Sequence, residues 1–202
     1  MSGTVPTSIS ELRSLVKLDL SDMNVNGILP PIGNLDDLKV LRMANNTLSG
    51  ELLTLNGLTN LVEIDLENNA FEGAIPDLST NLSIELIDLS KNRLSGNLPA
   101  WLFSLPNITI IHLERNSITG NIPNNFGGNT SLIKLWLNNN NLGGAIPQLA
   151  SPTVLGSLRK FLIIMSSIYY TTLNFHSHFT DSDFRRASFG IQWFKWLNRN
   201  WK

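Results

Sequence analysis

A repeat governs this chain. Segments beginning at Leu12, Leu35, Leu58, Asn81, Leu105 and Asn129 follow one another at spacings of 23, 23, 23, 24 and 24 residues. Each fits the template L-x-x-L-x-x-L-x-L-x-x-N-x-L-x-G-x-I-P. The third segment shows it most fully, with Leu58, Leu61, Ile64, Leu66, Asn69, Phe71, Gly73, Ile75 and Pro76. One coil of this length cannot bury its own apolar side. Stacked coils bury a continuous core, each touching only its neighbours. The chain is therefore constrained to a solenoid before any single element is assigned.

The residues within a coil predict its local structure. The L-x-L pair alternates with polar residues at period 2, which marks a short strand with one buried face. Strands of successive coils then align as a parallel sheet, about 4.8 Å apart. The expected fold class is an α/β solenoid. It has short parallel β-strands on a concave face, loops and 3-10 turns on a convex face, and an irregular C-terminal tail. The template asparagines Asn46, Asn69, Asn92, Asn116 and Asn140 sit where each strand turns away. An amide both donates and accepts, so a buried Asn can satisfy backbone groups of its own and the adjacent coil. These five are expected to form a structural ladder. The first coil has Met23 at that place and Asn24 one later, so a locally altered turn is expected there.

Both ends depart from the repeat. Gly3-Thr4-Val5-Pro6 matches the end of the template, so Met1 falls mid-coil, as in a piece cut from a longer solenoid. The expected organisation is a solenoid over 1–147 (a partial first coil plus six coils), a degenerate coil or cap over 148–170, and an aromatic basic tail over 171–202. Leu155, Leu158, Phe161 and Ile163 resemble one more coil, but Ser166 replaces the Asn. The tail holds Trp193, Trp196 and Trp201, and Phe184, Ile191, Phe194 and Leu197 could line one side of a helix. It is read as a cap, as a weak membrane-surface helix or as an unfolded segment.

Charge follows the same seam. Residues 1–147 carry 8 basic and 14 acidic side chains, whereas residues 148–202 carry 7 and 2. The whole chain nets −1, which argues against nucleic acid as a partner. With no cysteine, disulfides and zinc-thiolate sites are excluded. No run approaches the roughly 18 apolar residues of a spanning helix, and no signal sequence follows Met1. Membrane association is thus expected only through other parts of a parent protein or weakly through the tail.

Specificity is expected on the outward side chains of the strands. One column reads Asp19, Arg42, Asp65, Asp88, His112 and Trp136; the next contains Glu67, Ser90 and Glu114, and the one before contains Glu63. The candidate ligand-binding residues are Glu63, Asp65, Glu67, Asp88, His112, Glu114 and Trp136. An acidic centre beside an imidazole and an exposed indole anchor would suit a peptide with basic and apolar side chains. Arg115 could pair a carboxylate. No catalytic residues, cofactor or metal are expected. No nucleophile is placed beside His112, and His176 with His178 is too few ligands for a metal site. Sequons at Asn45, Asn81, Asn107 and Asn129 are candidate glycosylation sites.

The first 147 positions resemble the extracellular repeats of plant receptor-like kinases and receptor-like proteins, which are plant-type leucine-rich-repeat proteins. The run Leu89-Ser90-Lys91-Asn92-Arg93-Leu94-Ser95-Gly96-Asn97-Leu98-Pro99 carries the resemblance. It implies recognition of a peptide or protein ligand, or of a co-receptor, outside the cell or at the plasma membrane. It implies no enzyme in this chain, although longer relatives carry a kinase. The alternative is a soluble leucine-rich-repeat interaction protein or enzyme inhibitor of the cell wall.

Overall fold

The computed structural model describes residues 2–124, 131–144 and 162–164. The readings made for the rest of 145–202, including the tail helix and the His176/His178 pair, lie outside the described residues. So does the sequon at Asn129.

Among the described residues twelve short strands occur. They are β1 (Gly3–Thr4), β2 (Lys17–Asp19), β3 (Val25–Ile28), β4 (Val40–Arg42), β5 (Thr47–Glu51), β6 (Glu63–Asp65), β7 (Ala70–Ala74), β8 (Leu86–Asp88), β9 (Arg93–Ser95), β10 (Ile110–His112), β11 (Lys134–Trp136) and β12 (Leu162–Ile164). The L-x-L strands make one parallel seven-stranded sheet in the order β12-β11-β10-β8-β6-β4-β2. Its register follows the template without a slip: Leu18 pairs with Leu41, Leu41 with Ile64, Ile64 with Ile87, Ile87 with Ile111 and Ile111 with Leu135. A one-residue slip would turn every leucine outward, so the buried face fixes the pairing. β12 continues the sheet beyond the sixth coil, with Ile163 opposite Leu135.

The coils otherwise carry the expected loops and 3-10 turns. Short 3-10 helices are present, at Thr7–Glu11, Leu52–Leu55 and Ala100–Phe103. Beside them runs a second parallel sheet, β1-β3-β5-β7-β9. Single bridges, Asn97 to Thr119 and Asn121 to Gly143, extend it. It forms because the L-x-G-x strip of each coil lies extended against the next. The template glycine there adopts positive φ, as at Gly120, where a side chain would strike Asn97 Oδ1 of the previous coil. No α-helix occurs among the described residues, and none of their helices is long and apolar enough to cross a membrane.

The core is one cluster that runs through the coils. From the second coil onward, every described apolar template position is buried, including Leu35, Leu61, Met43, Phe71, Ile108 and Leu135. Asn81 fills a leucine slot and is buried there at 1% exposure, while its neighbour Leu82 points out at 59%. Its Nδ2 donates to the Leu58 carbonyl at 2.6 Å, which satisfies the buried amide.

The asparagine ladder works between coils as well as within them. Asn46 Nδ2 donates to the carbonyls of Met43 and Ala44 in its own turn, and to that of Leu20 in the coil before. Its Oδ1 accepts the Val25 N–H at 2.8 Å, again from the coil before. Asn69, Asn92, Asn116 and Asn140 repeat the pattern, accepting from Leu48, Phe71, Leu94 and Ile118. Each ladder residue therefore closes the turn of its predecessor. The first coil has the altered turn expected of it. Asp22 and Asn24 both take positive φ there, where the later coils have one such residue each, and Met23 is exposed.

Candidate functional site

The seven candidate residues share the open face of the seven-stranded sheet and the turn that follows it. Period-2 alternation puts Leu41, Ile64, Ile87, Ile111 and Leu135 inward, so the flanking positions point out. Asp65 stands opposite Asp88, Asp88 opposite His112, and His112 opposite Trp136.

The acidic centre is smaller than the columns suggest. Arg42 grips Glu63 through two hydrogen bonds, Nε to Oε1 at 2.6 Å and Nη2 to Oε2 at 2.8 Å. Lys91 Nζ donates to Glu67 Oε1 at 2.6 Å. The arginine that pairs a carboxylate is thus Arg42, while Arg115 occupies a positive-φ turn position. Both pairs join residues more than 20 positions apart, and only coil stacking brings them together.

Asp88 is the hub of what remains. Its Oδ2 lies 2.9 Å from His112 Nδ1, and its Oδ1 accepts the Ser90 hydroxyl at 2.7 Å and the Ser90 N–H at 3.0 Å. Burial pushes the Asp88 carboxyl up, but the hydrogen bonds from His112 and Ser90 outweigh it and hold the group below its usual range. Asp65 and Glu114 lie on the other side of the balance. Burial, reinforced by neighbouring carboxylates, raises both above the ordinary value.

Trp136 does not stand free as an exposed anchor. Its indole stacks on the His112 ring at 4.1 Å between centroids and 10° between planes. Register pairing on adjacent strands brings the two flat side chains to stacking distance. Trp136 Nε1, His112 Nε2 and Glu114 Oε2 are buried without a hydrogen-bond partner among the described residues. Buried polar atoms are normally paired, so three in one patch mark it as chemically unfinished.

The patch is not arranged for nucleophilic catalysis. Ser90 meets Asp88, whereas an activated serine must meet the ring nitrogen that the carboxylate leaves free. Asp65, Glu67 and Asp88 have oxygens within 4.8 Å of one another, the spacing of a cation site. Lys91 already holds Glu67, and His112 and Ser90 hold Asp88, so only Asp65 is uncommitted to a side-chain partner.

The sequons separate by structure. Asn81 is buried, and its Nδ2 donates to the Leu58 carbonyl at 2.6 Å. Asn107 is exposed, but its Nδ2 donates to the Leu82 carbonyl at 2.9 Å. It belongs to a second inter-coil ladder that the template does not announce. Asn60 donates in the same way to the Asp36 carbonyl and Ser131 to the Pro106 carbonyl. The common signal is a small polar residue directly before the second leucine of the coil.

Comparison with known proteins agrees with this architecture. The family described as Leucine Rich Repeat matches residues 60–82, 83–105, 107–129 and 131–151. Those residues are leucine-rich repeats. A stretch of 47 residues is 49% identical to Receptor-like protein 32 of Arabidopsis thaliana, covering 22% of this chain and 5% of the relative. Among solved structures, the plant peptide hormone receptor RGFR1 in complex with RGF2 superposes with a TM-score of 0.75 at 29% identity, over 83% of this chain and 27% of that one. The Arabidopsis receptor kinase HAESA, in complex with the peptide hormone IDA and the co-receptor SERK1, superposes at 0.67 and 25% identity, over 83% and 32%. This leucine-rich-repeat protein therefore spans about a third or less of these relatives. The fold it shares with their ectodomains is not that of an enzyme domain.

Proposed function

We propose that this leucine-rich-repeat protein is a recognition module of a plant receptor-like kinase or receptor-like protein. It binds a peptide or protein ligand, or a co-receptor, through the open face of its long sheet, outside the cell. The single observation that carries this reading is the patch of Asp88, His112, Trp136, Glu114 and Asp65, where buried polar atoms without partners meet an aromatic stack. Surfaces that bind use aromatic anchors ringed by adaptable polar groups. Solvated sheet faces have no need of either. Structural similarity to ectodomains in complex with peptide hormones supports the same reading.

The test is a peptide-display selection against the whole chain. Enriched peptides carrying basic and apolar side chains are the expected result. Their binding should weaken at least tenfold on Trp136→Ala and on Asp65→Lys, as for a central anchor and a reversed charge, about 1.4 kcal/mol or more each. Peptides that bind both variants as tightly as the unmodified protein would place recognition off this face.

A further inference from the structure

We propose that Asn45 is an attachment point for an N-linked oligosaccharide, and that Asn81 and Asn107, which carry the same motif, are not. This rests on the extracellular reading given above. The motif itself does not discriminate, since Asn45-Asn46-Thr47, Asn81-Leu82-Ser83 and Asn107-Ile108-Thr109 all satisfy it. What discriminates is the job each amide nitrogen holds in the folded chain. Asn81 Nδ2 is spent on the Leu58 carbonyl inside the core. Asn107 Nδ2 is spent on the Leu82 carbonyl, as one rung of the second ladder. Asn45 is exposed, and its one side-chain hydrogen bond among the described residues is made by Oδ1, which accepts Asn68 Nδ2 at 2.9 Å. Its own Nδ2 has no protein partner among those residues.

Glycosylation forms a bond between that nitrogen and the first sugar; the sugar's bond to a lipid-linked diphosphate breaks, and one amide N–H gives up its proton as the diphosphate leaves. The nitrogen keeps one hydrogen afterwards, and the oxygen keeps its full accepting capacity. At Asn45 the product therefore retains the hydrogen bond from Asn68. At Asn81 it would force a sugar into the core, and at Asn107 it would crowd the contact between two coils. Transfer takes place on the unfolded chain, so the selection falls on which product folds and leaves the cell. Asn45 follows β4 by three residues, in the left-handed turn at φ 56, so the sugar stands on the rim of the long sheet at the second coil. The Asp88–His112–Trp136 patch lies two to four coils further on, roughly 10–20 Å away at the strand spacing.

The whole chain, secreted from plant or insect cells behind a heterologous signal peptide, tests this by glycopeptide mass spectrometry. The added signal supplies entry to the secretory path, so the result does not depend on where the natural parent resides. The expected result is sugar on Asn45 and bare Asn81 and Asn107 in the soluble secreted protein, with Asn45→Gln secreted and folded but lacking that sugar. A bare Asn45, or sugar on Asn81 or Asn107 in folded secreted protein, would overturn the proposal.

Discussion

Replacing Asn92 by Ala removes four hydrogen bonds, yet leaves only one backbone group without a partner. The side chain donates to the carbonyls of Leu66, Leu89 and Ser90 and accepts the N–H of Phe71 at 3.0 Å. Each of the three carbonyls keeps another donor. Asn69 Nδ2 still reaches Leu66, Asn116 Nδ2 still reaches Leu89, and the Asn68 N–H still reaches Ser90. Phe71 is fully buried, so no water replaces the lost acceptor for its N–H. One orphaned buried donor costs about 1–3 kcal/mol. For a chain of this size that lowers the thermal midpoint by about 4–8 °C, taking roughly 2 kcal/mol at about 2–4 °C each. Met23→Asn is the control. It restores the template residue in a coil whose turn is built differently, with Asp22 and Asn24 both at positive φ and Met23 exposed. It should change stability by less than about 0.5 kcal/mol, as an exposed substitution does. Circular dichroism melts of the three proteins decide the matter. An unshifted melt for Asn92→Ala, or an equal gain from Met23→Asn, would refute the inter-coil role of the ladder.

Three further predictions follow from the geometry. Gly57→Ala should destabilise by more than about 1 kcal/mol in chemical denaturation, because Gly57 sits at φ 102 and a Cβ there would lie 2.8 Å from the Gly33 carbonyl oxygen. Arg115→Asn should raise the melting point, by up to about 1 kcal/mol in stability, since Arg115 holds φ 57 where Asn45, Asn68 and Asn139 hold the matching position in other coils. Asp65 has a carboxyl raised by burial, so its charged form is the disfavoured one in the folded state. Stability relative to Asp65→Asn should therefore rise as pH falls through that raised value, and level off below the ordinary carboxylate value of about 3.9. Asp88, held low, should act in the opposite sense and only at lower pH. Urea midpoints measured from neutral pH downward would show a flat difference between the Asp65 proteins if burial had no such effect.

Much of the fold is legible in the sequence because its determinants recur at a fixed offset. The L-x-L strands, their register, the asparagine ladder and the unusual first turn at Met23 all follow from aligning one coil with the next. The second sheet is harder to see. Its strip is mostly polar, its glycines argue against strand propensity, and its pairing exists only between coils. The second ladder hides for a related reason, since Asn60, Asn107 and Ser131 differ in type while sharing a task. The site is legible as a set of positions and not as chemistry. Column reading finds Glu63, Glu67 and Arg42 but not the pairings that neutralise the two acids, because Arg42 stands a column away from Glu63 and Lys91 lies in the turn beyond the sheet. It finds Trp136 but not that the indole lies flat on His112, which depends on a ring orientation no spacing encodes.

The direction of the ladder gives the molecule an arrow. Every rung reaches backward, so the amide of Val25 waits for Asn46 and that of Leu48 waits for Asn69, each 21 residues later. During synthesis a coil emerges with its turn open and is latched only when most of the next coil has followed. Trimming the two ends is therefore unequal. Removing coils from the start leaves an asparagine side chain short of the partners it had in the coil before, whereas removing them from the finish leaves a backbone amide bare.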